Sequence, residues 1–174
     1  MSLKIICNKP VHYIEFSVVE RIYQNLSLFQ KLNYLLIKEC LINNLVFNKS
    51  FTIELMFISP NIRTLSTLAK YASFVYPNPF LYNRDTKSLP KADELTWDMA
   101  RELIQKSENP NRKIEREGCV LNDSYRNTPW LIYGINKQLD IPTHHDNWLN
   151  EFAERYLKYR NKEGKEFIVR AKIN

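Results

Sequence analysis

The chain has 174 residues, 25 Lys and Arg against 19 Asp and Glu, and a formal net charge of +6. Hydrophobic residues make up 44% of it and aromatics 13%, too much apolar material for a disordered chain and enough for a packed core. Only three glycines occur (Gly118, Gly134, Gly164) where average usage gives about twelve, which excludes the glycine-rich phosphate loops.

Leu3–Cys7 is apolar and β-branched and predicts a short strand that ends at Asn8-Lys9-Pro10. Residues 17–44 predict two helices. Ser17 caps the first, with Glu20 completing a capping box. Ser27 caps the second, and Leu28, Leu32, Leu35, Leu36 and Ile42 form its inward face. Phe51–Ile58 alternates and predicts the clearest strand. Ser59-Pro60 then opens a helix to about Val75, which Tyr76-Pro77-Asn78-Pro79 ends.

The Pro-flanked stretch 77–91 predicts a long loop, and Ala92–Lys106 a helix with Leu95, Met99, Leu103 and Ile104 inward. Residues 107–118 are polar and predict a surface excursion, followed by a short strand at Cys119–Leu121. Thr128-Pro129 opens a further helix that ends at Ile141-Pro142. Thr143 caps the next, with Asp146 as the acidic member of the box and Trp148, Leu149, Phe152, Tyr156 and Leu157 as its apolar stripe. Phe167–Val169 predicts a last strand. The sum is an α+β fold, helix-dominated, with a small sheet. It forms one domain over 1–174, divisible into an α/β core (1–106) and a C-terminal helical part with a basic tail (119–174).

Cys7, Cys40 and Cys119 are far apart, odd in number and form no C-x-x-C pair. They predict buried thiols in a reducing intracellular compartment, cytoplasm or mitochondrial matrix, with no disulfide framework and no cysteine zinc site. The first 20 residues read neither as a secretory signal nor as an Arg-rich transit peptide. No run reaches the roughly 18 apolar residues that a membrane span needs.

Three groups of residues bear on function. His144-His145-Asp146 is the one cluster of side chains typical of catalysis or metal binding. Adjacent helical residues point about 100° apart, however, which argues for a solvated helix start. Near the C-terminus Arg155, Lys158, Tyr159, Arg160, Lys162 and Lys165 mix cations with an aromatic, as nucleic-acid binders do. Phe80, Leu81, Tyr82 and Arg84 form an arm that must pack on its own domain or on a partner protein. Paired charges over 93–106 and 112–117 read as solvated faces.

Two segments resemble known families. Residues 51–73, with Phe51-Thr-Ile-Glu-Leu-Met-Phe-Ile-Ser-Pro-Asn-Ile-Arg-Thr-Leu, resemble the strand-then-helix opening of thioredoxin-like mitochondrial ribosomal proteins. Tyr125-Arg126 through Phe152, with Leu139-Asp140-Ile141-Pro142-Thr143, is similar to the last helices of opine and ketopantoate dehydrogenases. The nucleotide-binding half of those enzymes has no counterpart here, so no functional residue carries over.

The function expected is that of a non-catalytic structural or interaction subunit of a larger assembly, with a ribonucleoprotein such as a ribosome as one setting. Its expected partners are other protein subunits and RNA, with no cofactor and no metal. The alternative is a small hydrolase or metal-dependent enzyme centred on His144, His145 and Asp146.

Overall fold

Asn8 does not end the first strand but turns it. Cys7 and Asn8 both take positive φ, 48° and 58°, the backbone of a two-residue hairpin turn. They join β1 (Ser2–Ile6) to β2 (Lys9–Ile14) in an antiparallel pair. Pro10 is tolerated because it sits at the start of its strand. The computed structural model describes residues 1–14, 28–48, 51–123, 144–158 and 164–174. The helices predicted from Ser17 and from Thr128-Pro129 lie outside these residues, as does most of the dehydrogenase-like segment.

β3 (Ile53–Ser59) runs parallel to β2. Parallel neighbours need a crossover, and α1 (Leu28–Asn48) lies between them in the chain. β3 also pairs antiparallel along its whole length with β7 (Glu166–Ile173). The opposite edge of β7 is shared by two short strands, β4 (Phe74–Tyr76) and β6 (Val120–Leu121). β5 (Ile114–Glu115) adds to β6 and closes a mixed seven-stranded sheet.

Alternation along β3 and β7 sends side chains to two cores. Ile53, Leu55, Phe57, Phe167, Val169 and Ala171 face α1, α2 (Ile62–Tyr71) and α4 (Asn147–Leu157). Met56 and Ile168 face α3 (Glu94–Gln105), where Met99, Ala100, Leu103 and Ile104 meet Ile6 and Val11 of the hairpin. At β3 and β7 the sheet is therefore a middle layer, covered on both faces, while Leu3 and Ile5 of the edge strand β1 stay exposed. This explains why β7 is buried along most of its length.

Several expectations are corrected. The fold is α+β, but a helix-dominated chain with a small sheet is overturned by the seven strands. β4 and β5 are only three and two residues long, too short for any period to show, whereas the short strand expected at Cys119–Leu121 is β6. The helix after β3 starts later and ends earlier than Ser59-Pro60 and Val75 suggest. Asn61 is its N-cap, accepting from the N–H groups of Arg63 and Thr64, and it ends at Tyr71. Ser59 instead accepts from the Asn61 N–H at 3.0 Å. Asp93 caps α3 by accepting from the Thr96 N–H at 2.6 Å.

The loop over 77–91 holds a 3-10 turn at Pro79–Leu81 and an antiparallel bridge between Asn83 and Ser88. The Tyr76-Pro77 peptide bond is cis. Two tyrosines fasten the loop's exit. The Leu89 N–H donates to the Tyr156 hydroxyl at 3.0 Å, and that hydroxyl donates to Glu117 Oε1 at 2.6 Å. Tyr76 donates to the Pro90 carbonyl at 3.1 Å and accepts from the Gly118 N–H at 3.0 Å. Gly118 has φ of 74°, which favours glycine, and a Cβ there would crowd the Tyr156 ring at 3.1 Å.

Candidate functional site

The His144-His145-Asp146 cluster sits just before α4, and this changes its geometry. The helix begins at Asn147, with Asp146 at the N-cap position but making no side-chain cap bond. Both histidines are therefore outside helical backbone, and their rings lie 4.1 Å apart, centroid to centroid. Asp146 Oδ2 is 3.5 Å from His144 Nδ1 and 3.6 Å from His145 Nε2. One donor atom from each residue falls within 4.8 Å of the others. Two ligands of a tetrahedral zinc ion lie about 3.4 Å apart, which follows from metal–ligand bonds of about 2.0–2.1 Å. The 100° divergence of adjacent helical side chains thus does not separate these two histidines.

Other contacts define what this cluster can do. Asn150 grips the backbone of His144, accepting from its N–H at 2.7 Å and donating to its carbonyl at 2.9 Å. The Asp146 N–H donates to His144 Nδ1 at 3.0 Å, so that nitrogen is an acceptor and the ring proton is on Nε2. Burial holds the His144 ring below the usual histidine range. His145 pushes it the same way, Asp146 opposes, and Lys70 and Arg63 of α2 add to the lowering. A cation here meets a neutral ring whose Nδ1 is already engaged, with two further positive charges nearby.

The arm is divided between its own domain and solvent. Tyr82 packs edge-on against Phe152 at 5.3 Å and Tyr156 at 6.2 Å on α4. The Arg84 guanidinium lies 4.8 Å above the Trp148 ring, which Phe80 meets edge-on at 5.8 Å. Phe80 and Leu81 remain exposed.

The C-terminal cations are also divided. Arg155 and Lys158 are exposed, and Lys158 ends α4 in a left-handed conformation. Tyr159, Arg160 and Lys162 lie outside the described residues. Lys165 is buried, with its ammonium 2.7 Å from Glu115 Oε1, so it adds nothing to an exposed cationic surface.

Sequence reasoning missed a larger feature on α1. Its inward side is Ile37, Cys40 and Leu41. Leu35, Leu36 and Ile42, expected in the core, are exposed, while Leu28 and Leu32 lie outside the described side chains. With Tyr34, Leu45 and Val46 they make the side of α1 that faces away from the sheet apolar. The signal was present: α1 is apolar on nearly every side, which a helix lying on one sheet face does not need.

The chain is thus an α+β protein with a mixed sheet, and one helix has an apolar outer side that meets nothing among the described residues. No family model, no curated protein and no solved structure matches it. Among the described residues no helix is long and apolar enough to cross a membrane.

Proposed function

We propose that the protein is a non-catalytic interaction subunit of a larger assembly, and that a partner protein docks on the outer side of α1. The observation that carries this is the exposure of Tyr34, Leu35 and Val46, at 66%, 58% and 65%. Large apolar side chains gathered on one exposed helix face mark interaction surfaces in soluble proteins. Lys31 and Lys38 are exposed on the same side. The partner is therefore a protein surface with an apolar centre and carboxylates to meet them. The net charge of +6 and the exposed Arg155 and Lys158 support a ribonucleoprotein setting, such as a ribosome. The three free thiols support a reducing compartment, cytoplasm or mitochondrial matrix.

The test is the native mass of the particle isolated from its source at gentle salt, with wild type and a Leu35→Glu/Ile42→Glu variant. Wild type in a large particle and the variant free near 20.8 kDa is the expected result. A wild type that runs free, or only as a homodimer, overturns the reading.

The His144-His145-Asp146 cluster supports a second reading, a small metal-dependent hydrolase, on the approach of three donor atoms within 4.8 Å. Equilibrium dialysis against zinc decides it. Stoichiometric zinc that is lost in a His145→Ala/Asp146→Ala variant favours the enzyme, and an absence of zinc uptake removes it.

A further inference from the structure

α3 and the segment after it line a shallow, open cleft of about 220 Å³. Trp97, Arg101 and Ile104 reach it from α3, where spacings of four and three residues put them on one side of the helix. Pro110, Arg112 and Ile114 reach it from the excursion that leads into β5. The cleft is smaller than the roughly 300–1,000 Å³ of pockets that enclose drug-sized ligands, so it suits one planar group.

Its charge is not cancelled locally. Glu94 is ion-paired with Arg116, and Glu102 with Lys106. Arg101 and Arg112 have no carboxylate partner among the described residues, and Arg112 Nε is buried without a hydrogen-bond acceptor. A guanidinium whose buried N–H lacks an acceptor is left under-satisfied, and an anion on its accessible nitrogens offsets that. Beside these cations the cleft offers an aliphatic wall and the Trp97 indole, over whose ring the Arg116 guanidinium lies at 5.7 Å, which leaves one face for a base.

We propose that this cleft binds a nucleotide unit, with its phosphate on Arg101 and Arg112 and its base against Trp97, Ile104 and Ile114. The guanidinium fork matches phosphate oxygens, and an indole accepts any base through its π-face. The unit comes from a single RNA strand or from a free nucleotide. This inference rests on the ribonucleoprotein setting proposed above and places the RNA contact on α3 and the excursion, away from the C-terminal tail.

The test uses the full chain with fluorescein-labelled octauridylate and, separately, with uridine monophosphate. Anisotropy is followed across salt, and tryptophan emission reports the indole. Two phosphate contacts on a single strand contribute about 1.4 to the slope of log K against log salt. An Arg101→Gln/Arg112→Gln variant should have a slope shallower by about that amount, or by half of it for Arg112→Gln alone. Quenching on binding should persist in Trp148→Phe and vanish in Trp97→Phe. Binding of octauridylate alone identifies a strand as the source, whereas equal binding of the monophosphate identifies a free nucleotide.

Octauridylate binding with the slope unchanged in the arginine variants overturns the cleft and leaves the RNA setting standing. No binding of either probe overturns both. Neither result touches docking on α1, which is read from particle mass. Thermal unfolding by circular dichroism verifies that each variant is folded.

Discussion

The Arg170 guanidinium donates from Nε to Glu54 Oε1 at 2.6 Å, diagonally across the β7–β3 ladder, and is only 2% exposed. Nη1 donates to Thr96 Oγ1 at 2.7 Å and lies 3.5 Å from Asp93 Oδ1, while Nη2 has no acceptor. One arginine thus ties the middle of the sheet to the first turn of α3. Removing one member of a buried pair leaves a buried charge behind, at about 3–5 kcal/mol. Arg170→Met should therefore lower unfolding free energy in urea by about that amount. The double variant Glu54→Leu/Arg170→Met should recover most of the loss, because two apolar side chains need no partner. Equal instability of single and double variants would refute this account.

Tyr156 and Tyr76 offer a second test, through loop geometry. Tyr156→Phe leaves the Leu89 N–H and the Glu117 carboxylate without the hydroxyl that joins them. A loss of about 1–3 kcal/mol is expected, with faster exchange of the Leu89 amide. Burial, then the bond to Glu117, pushes the Tyr156 hydroxyl far above the usual phenol range. Burial pushes Tyr76 up to about 12. In an alkaline titration of tyrosinate absorbance both should stay silent until the protein unfolds. Tyr156→Phe should remove no early-titrating tyrosine.

What the residues disclosed depended on how much of a period each segment could show. β3 was legible because Ile53, Leu55 and Phe57 alternate against one core. α3 and α4 were legible because Met99 with Leu103, and Phe152 with Tyr156, recur at four residues and are buried. β2 was not, because Lys9-Pro10 has the chemistry of a stop, while the tertiary pairing with β3 overrides it. The outer side of α1 was hidden by excess: when most sides of a helix are apolar, the pattern cannot say which one meets the sheet. The approach of His144 to His145 depended on where α4 begins, and a shift of a few residues in a helix start reverses that argument.

Glu102 yields a pH prediction. Its carboxylate is ion-paired with Lys106 and accepts from the Cys7 N–H at 2.7 Å, across 95 residues of sequence. These contacts, Lys106 foremost, hold it down from 4.5 to about 2. A depressed pKa stabilises the fold fully above the unfolded value. That contribution fades as pH falls from about 4.5 towards 2. The stability difference between wild type and Glu102→Gln should be greatest near pH 7 and vanish near pH 2. Because Lys106 also donates to the Ile5 carbonyl at 2.9 Å, the β1–β2 hairpin should loosen first on acidification. Amide exchange at Cys7 against pH reads this, and a pH-independent difference would refute it.

The three thiols should separate by access. Cys119 is fully buried, and burial pushes its pKa up to about 12, so almost no thiolate forms near neutral pH. Cys40 is buried beside His12, Sγ 3.5 Å from Nδ1, and burial raises its pKa too. Cys7 is half-buried at the hairpin turn, and burial, then Glu102, raises it. A disulfide reagent at pH 8 should therefore label Cys7 first and slowly, and reach the other two only on unfolding. Cys7→Ser should abolish the native-state phase and leave the denatured-state phase intact. Glu102→Gln should speed that native phase, since it removes the nearby negative charge and leaves only a neutral acceptor beside the thiol. Labelling of Cys119 in the native protein at a rate matching Cys7 would show that the α3 layer opens far more readily than its packing implies.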